Sequence, residues 1–202
     1  MGSRPYKTEQ YNCKERYSSY WHQVHEVMSL MPGRVLEIGI GSGLVTYALR
    51  ALDVDVVTLD IDKDLKPDVV GSAASLPFED DSFDVVLCCE VLEHLPYDSL
   101  ELALSEIRRV TRSHAVVSLP DVTRSYRIFI QVPLLGIWRI LLSLPLPGRD
   151  RGLDREHNWE VGRRRFPVRR IRRDIERSGF SVLQTYRVFE IPYHRFFRLG
   201  KS

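Results

Sequence analysis

The chain has 202 residues, 44% of them hydrophobic and 28% charged, with a formal net charge of +2. That length suits one α/β domain and excludes two comfortable ones, and the composition is that of an ordinary globular protein. The charge is uneven: residues 149–202 hold 15 basic and 7 acidic groups, leaving 14 and 20 for the rest, so the tail is basic and the front mildly acidic.

In chain order, residues 1–10 are polar and lack the apolar core of a signal peptide. Residues 15–30 predict a helix, with Tyr17, Tyr20, Trp21, Val24 and Val27 forming an apolar stripe. Pro32-Gly33 breaks it. Residues 34–38 then read as a short buried strand running into glycines, 44–52 as a helix, and 54–59 as a β-branched strand ending at Asp60. Another strand is expected at 83–89, a helix at 99–111, and a strand at 114–119 stopped by Pro120. Strands alternating with helices predict a parallel sheet covered on both faces.

Residues 121–165 lose this alternation and hold several prolines and arginines. Within them, 134–142 is strongly apolar. It reads as ordinary core, as a lid over an apolar acceptor, or as a contact with a membrane surface or second subunit. The longer stretch 128–147 has about membrane-spanning length, yet Gln131, Arg139 and three prolines argue against a transmembrane helix. A helix is expected at 167–178, with Pro167 near its start, Gly179 past its end, and Val168, Ile171 and Ile175 facing inward. Two strands, 181–189 and 193–199, predict an antiparallel pair. The three cysteines, Cys13, Cys88 and Cys89, include two chain neighbours, which gives no disulfide framework and suits a cytoplasmic protein.

The chemistry concentrates in Val35-Leu36-Glu37-Ile38-Gly39-Ile40-Gly41-Ser42-Gly43. A strand, three glycines and a helix let the backbone turn tightly and approach a ligand, and the helix start adds free N–H donors. Asp60 follows 17 residues after Gly43, and its carboxylate can accept from both hydroxyls of a ribose. A dinucleotide would call for G-x-G-x-x-G; here Leu44 stands where the last glycine belongs. Glu37, two residues before the first glycine, suits a cation better than a diphosphate.

These residues resemble motif I of the class I S-adenosylmethionine-dependent methyltransferases. The likeness continues in order: Leu59-Asp60-Ile61-Asp62, then Ser75-Leu76-Pro77-Phe78 with Ser82-Phe83-Asp84-Val85-Val86, then Cys89-Glu90-Val91-Leu92-Glu93-His94-Leu95. It implies a Rossmann-like, doubly wound, mostly parallel seven-stranded sheet with helices on both faces and an antiparallel C-terminal strand pair. One domain is implied: a helical cap (1–31), a cofactor-binding core (33–120), an acceptor-site insert or lid (121–165), and a C-terminal helix with strands (166–202). S-adenosylmethionine is the implied cofactor and S-adenosylhomocysteine the product. Glu37 and Gly39 would line the methionine end, Gly41 and Gly43 would allow close approach, and Asp60 would hold the ribose. Ile61 would pack on adenine, Ala73 would offer its amide to it, and Cys89 with Glu90 would border the methionine portion. The family often has an aspartate where this chain has Ser72, so either Ser72 substitutes there or that adenine contact is lost.

Tyr17 and Trp21, four apart on one helical face, are expected either to lid the cofactor or to pack in the core. Glu93 and His94 read as the start of the next helix. The run Asp154-Arg155-Glu156-His157-Asn158-Trp159-Glu160 mixes ionisable groups with an aromatic in a loop, and His157 is the candidate acceptor-side residue and general base. His22 and His25 lack clustered carboxylates, so no metal site is expected. The expected partner is a small-molecule acceptor methylated on O or N. The alternatives are a macromolecular acceptor met by the basic C-terminal region, and a cofactor-binding regulator without catalysis; nucleic acid is the less favoured partner.

Overall fold

The computed structural model describes residues 13–134, 136–144 and 156–202. The elements in order are α1 (Lys14–Met28), β1 (Arg34–Ile38), α2 (Leu44–Arg50), β2 (Asp55–Asp60), β3 (Val69–Val70), β4 (Phe83–Cys89) and α3 (Leu100–Val110). Then come β5 (Thr111–Pro120), β6 (Ser125–Val132), β7 (Gly136–Ser143), α4 (Val168–Arg177), β8 (Phe180–Arg187) and β9 (His194–Lys201). Seven strands form one sheet in the order β3-β2-β1-β4-β5-β9-β8. The pairs from β3 to β5 are parallel, while β9 runs antiparallel to both β5 and β8. This is the mixed α/β sheet with an antiparallel strand pair that the sequence predicts.

The burial follows from strand pleating. On β1, Val35 points to one face and Leu36 and Ile38 to the other; on β4, Val85 and Leu87 oppose Val86 and Cys88. Val35, Val85 and Leu87 pack with Val27 of α1 and Val45 and Leu49 of α2. Leu36, Ile38 and Val86 pack with Leu104 and Ile107 of α3 and Ile171 and Ile175 of α4. Both faces of the central strands are therefore dry, which explains their near-continuous apolar runs. Each of these buried aliphatic side chains contributes roughly 1.5–3 kcal/mol of burial. Ile171 and Ile175 are buried as expected, while Val168 is only partly so.

Residues 121–165 depart from the reading of 134–142 as core. β6 and β7 pair antiparallel from Ser125↔Ser143 to Val132↔Gly136 as a separate two-stranded sheet. Ile128, Phe129, Ile130, Ile137, Trp138 and Ile140 on it are exposed. Apolar residues stand on both faces, so no period of two marks the strands in the sequence. Leu144 N donates to the Arg124 carbonyl at 2.9 Å and so ties the two ends of the hairpin together. Among the described residues no helix is long and apolar enough to cross a membrane.

Candidate functional site

The sheet order reverses between β1 and β4. The carboxyl ends of the parallel strands part there, where open α/β sheets bind ligands, and a cleft of about 1080 Å³ opens.

β1 delivers Glu37 to the cleft floor. Its side chain is buried and accepts a 2.5 Å hydrogen bond from Thr46 Oγ1 of α2. Burial pushes the carboxyl up to about 7, against the lowering effects of the Thr46 bond and the Arg50 charge. Gly39 follows with φ 81°. A Cβ on Gly39 would overlap Val91 Cγ2, so the turn demands glycine for both its backbone and its space. β2 ends at Asp60, whose Oδ2 accepts from Ile40 N at 3.0 Å and Oδ1 from Asp62 N at 2.9 Å. Two backbone amides thus fix the carboxylate, and each oxygen retains a lone pair for a ligand hydroxyl.

Glu37, Gly39, Gly41, Asp60, Ile61, Ser72, Ala73, Cys89 and Glu90 all line this cleft. Gly43 stands behind it. As the left-handed residue before α2 (φ 75°), it closes the turn through a 2.8 Å bond from its N–H to Ile40 O. Ser72 Oγ accepts from Ala74 N at 3.2 Å and so shapes the turn that brings Ala73 to the wall. Burial pushes the Cys88 and Cys89 thiols up, which keeps both protonated and Cys89 a packing group.

Tyr17 and Trp21 require a correction. They are 52% and 59% exposed and lie outside the cleft; Trp21 stacks on His25 instead. The face of α1 that meets the cleft carries Arg16, Tyr20 and Gln23. Their spacing of four and three was the available signal, but two of them are polar and fall outside an apolar stripe.

Glu90 adopts φ 54° after β4, and its N–H donates to Ser118 O at 3.0 Å. Ser118 Oγ donates to Glu90 Oε1 at 2.8 Å, and burial pushes this carboxyl up to about 7 despite that bond. Behind it, His194 Nδ1 lies 2.7 Å from Ser19 Oγ; burial takes His194 down to about 3, so it is neutral at physiological pH.

Beyond Glu90 the chain forms a one-turn 3-10 helix, Leu92–His94, rather than the expected start of α3. Glu93 is fully buried there, and His94 lines the cleft. The segment from residue 156 is sewn onto this turn. Asn158 N donates to Glu93 O (2.8 Å), Asn158 Nδ2 to His94 O (2.7 Å) and Trp159 Nε1 to Leu95 O (3.1 Å). Trp159 is wholly buried against Tyr97 and Phe166, which makes it the anchor of the segment. Asp154 and Arg155, from the same predicted run, lie outside the described residues.

Glu156 reaches the cleft wall, whereas His157 sits one layer back, its ring 5.0 Å from that of His94. His157 Nδ1 is 3.3 Å from Glu160 Oε1. Tyr193 donates to the same oxygen at 2.7 Å, and Arg163 Nε to Glu160 Oε2 at 2.8 Å. Burial would raise the Glu160 carboxyl, but the bonds from Tyr193, Arg163 and His157 outweigh it and hold the group below its usual value.

Comparison with known proteins agrees with this geometry. Residues 36–119 match the family described as "Methyltransferase domain". A Mycolicibacterium smegmatis protein named "Probable S-adenosylmethionine-dependent methyltransferase" is 32% identical over 189 residues, 85% of this chain and 63% of its own length. The chain spans less than two thirds of the length of the curated relatives it matches. Among solved structures, a Synechocystis magnesium protoporphyrin IX methyltransferase with bound SAH superposes with TM-score 0.62 at 18% identity, covering 93% of this chain and 85% of that one. The cyclase SpnF superposes with TM-score 0.63 at 14% identity, covering 98% and 85%. Proteins of different stated activity share this fold, so the reaction must be argued from side chains.

Proposed function

We propose that the chain, whose residues 36–119 match a methyltransferase domain, is a class I S-adenosylmethionine-dependent methyltransferase that moves a methyl group by direct displacement onto an O or N atom of a small molecule. One observation carries the reading. Two carboxylates end adjacent parallel strands on either side of a turn with no room for a side chain, Glu37 buried and Asp60 fixed by two amides. That set suits a nucleoside with two ribose hydroxyls at one end and positive charge at the other. A phosphate would face the negative charge of Glu37.

Bound there, S-adenosylmethionine supplies an electrophilic methyl on a sulfonium. Asp60 would accept from the ribose hydroxyls, with Ile61 beside the base and Ala73 offering its amide. Glu37 would pair with the ammonium, and Glu90 and Cys89 would border the same end. Arg16, Tyr20, Gln23, His94, Leu95 and Glu156 line the cleft elsewhere, where they would orient the acceptor. Such alignment can supply roughly 7–11 kcal/mol of a displacement barrier. His157, held by Glu160 at the back of this wall, would orient His94 or take the proton of a hydroxyl acceptor.

A small acceptor is favoured over a macromolecule because part of the basic tail is engaged internally, although arginines such as Arg169 and Arg173 of α4 remain exposed. Arg195 Nε donates to Asp121 Oδ2 at 2.6 Å and Arg198 Nε to Glu26 Oε2 at 2.7 Å, while Phe196 and Phe197 are buried. On α4, Arg172 pairs with Glu176, and Arg170 lies over the Tyr97 ring.

The test supplies S-adenosylmethionine labelled in its methyl group, the chain, and separated pools of small molecules, RNA and protein. Label is expected in the small-molecule pool. Label confined to RNA or protein, or none in any pool while the cofactor binds, would reject the reading.

A further inference from the structure

Behind the acceptor wall, three ligating side chains converge in a way that methyl transfer does not require. Glu93 is fully buried, and neither of its carboxylate oxygens has a hydrogen-bond partner among the described residues. A carboxylate taken out of water without a partner is rare in a native protein and calls for an unseen water or ion. The nearest imidazole atom, His157 Nε2, is 3.9 Å from Glu93 Oε1, too far for a hydrogen bond.

Both histidines are oriented so that the same ring atom is available. His94 Nδ1 lies 2.9 Å from the carbonyl oxygen of Glu156, which can only accept, so Nδ1 carries the proton and Nε2 the lone pair. His157 Nδ1 faces Glu160 Oε1 at 3.3 Å, and Glu160 is itself held by Tyr193 and Arg163. That leaves the His157 Nε2 lone pair on the Glu93 side. A carbonyl behind one imidazole and a carboxylate behind the other are the outer partners that fix tautomer and ring orientation in metal sites. One ligand atom from each of Glu93, His94 and His157 lies within 4.8 Å of the others.

We propose that Glu93, His94 and His157 form a binding site for a divalent first-row transition-metal ion of the zinc type. Two imidazole nitrogens and one carboxylate match the ligand preference of such ions, whereas calcium and magnesium favour oxygen alone. Coordination would draw the three donor atoms, which lie within 4.8 Å of one another, in toward a common ion. His94 and Glu156 line the cleft, so a further coordination position opens toward the acceptor. The site goes beyond the methyl-transfer reading, and ion binding can be tested without it, but the two compete for His157. An ion here uses the His157 Nε2 lone pair, so an occupied site and a free His157 base exclude each other.

The full chain, stripped with a chelator and dialysed, is titrated with Zn²⁺ in a calorimeter, and S-adenosylhomocysteine binding is measured separately. One ion per chain is expected, with His94→Ala and His157→Ala each weakening it at least tenfold and His22→Ala leaving it unchanged. Because such variants can lose their fold, the imidazole nitrogen resonances of the unaltered chain are also followed during the titration. The Nε2 signals of two histidines should shift together at one equivalent. Absence of stoichiometric Zn²⁺ binding, or Zn²⁺ that moves other histidines instead, would overturn the proposal. Failure to bind S-adenosylhomocysteine with zinc binding intact would count against the methyl-transfer reading alone.

Discussion

The two sides of the cleft are built in different ways. On the side proposed for the cofactor, Glu37, Gly39, Asp60, Cys89 and Glu90 stand near or just past the ends of strands, and backbone geometry places them. On the side proposed for the acceptor, Arg16 comes from α1, His94 from a single 3-10 turn, and Glu156 and His157 from a segment more than 60 residues further on. Side-chain hydrogen bonds to that turn hold the late segment in place. The first side is written in short-range order, the second in long-range contacts. Sites of the first kind keep one ligand while sites of the second kind can change acceptors without disturbing the sheet.

The largest effect should come from breaking the backbone turn. Gly39→Val places a branched side chain where φ is 81° and Val91 already stands. Cofactor binding should fall at least a hundredfold, with a stability loss of about 1–3 kcal/mol from strain and overpacking. Calorimetric titration and thermal melting check both. Next, His157→Ala should leave cofactor affinity within about twofold while lowering transfer by about 10²-fold, the lower range for a general base. An unaltered rate with any accepted substrate would remove His157 from the acceptor side.

A third, smaller effect separates the sides by pH. The Glu37 carboxyl titrates near 7 because burial raises it, so it is ionised above that pH and neutral below. The ligand's ammonium pairs with the ionised form. S-adenosylhomocysteine affinity should therefore fall about tenfold from pH 8 to pH 6, with proton uptake by the free protein opposing binding. Glu37→Gln should weaken that dependence, leaving the part due to Glu90, whose carboxyl burial also raises to about 7. The smallest effect belongs to the β6–β7 hairpin, exposed on both faces. Replacing residues 125–143 by a short Gly/Ser loop should leave cofactor affinity unchanged. It should also lower Tm by only a few degrees, because it removes chiefly exposed contacts such as Arg139 to Glu190 at 3.7 Å.

The same contrast sets what the sequence makes legible. The strands at 34–38 and 83–89 agree with their predicted bounds because buried parallel strands announce themselves as apolar runs closed by glycine or a carboxylate. Nine residues named for the cofactor line the cleft, some beside strand ends and others, such as Ser72 and Ala73, in a loop that only the family resemblance pointed to. The hairpin escapes because apolar residues on both its faces erase the alternation. Tyr17 and Trp21 mislead because exposed aromatics on α1 mimic a buried stripe, while Arg16 and Gln23 are polar on the face that matters. Glu93, buried without a hydrogen-bond partner among the described residues, lies beside a His157 that is 64 residues further on, which no local rule could reveal.

The central claim is that Asp60 and Glu37 jointly cradle a phosphate-free, positively charged nucleoside. Calorimetry of S-adenosylhomocysteine against the unaltered chain and Asp60→Ala, beside NADH as a competitor for the same cleft, tests it most directly. The account predicts one site per chain, a loss of at least tenfold in the variant from two missing charge-assisted hydrogen bonds, and no uptake of NADH. Equal affinity in both proteins, or NADH bound in preference, would contradict it.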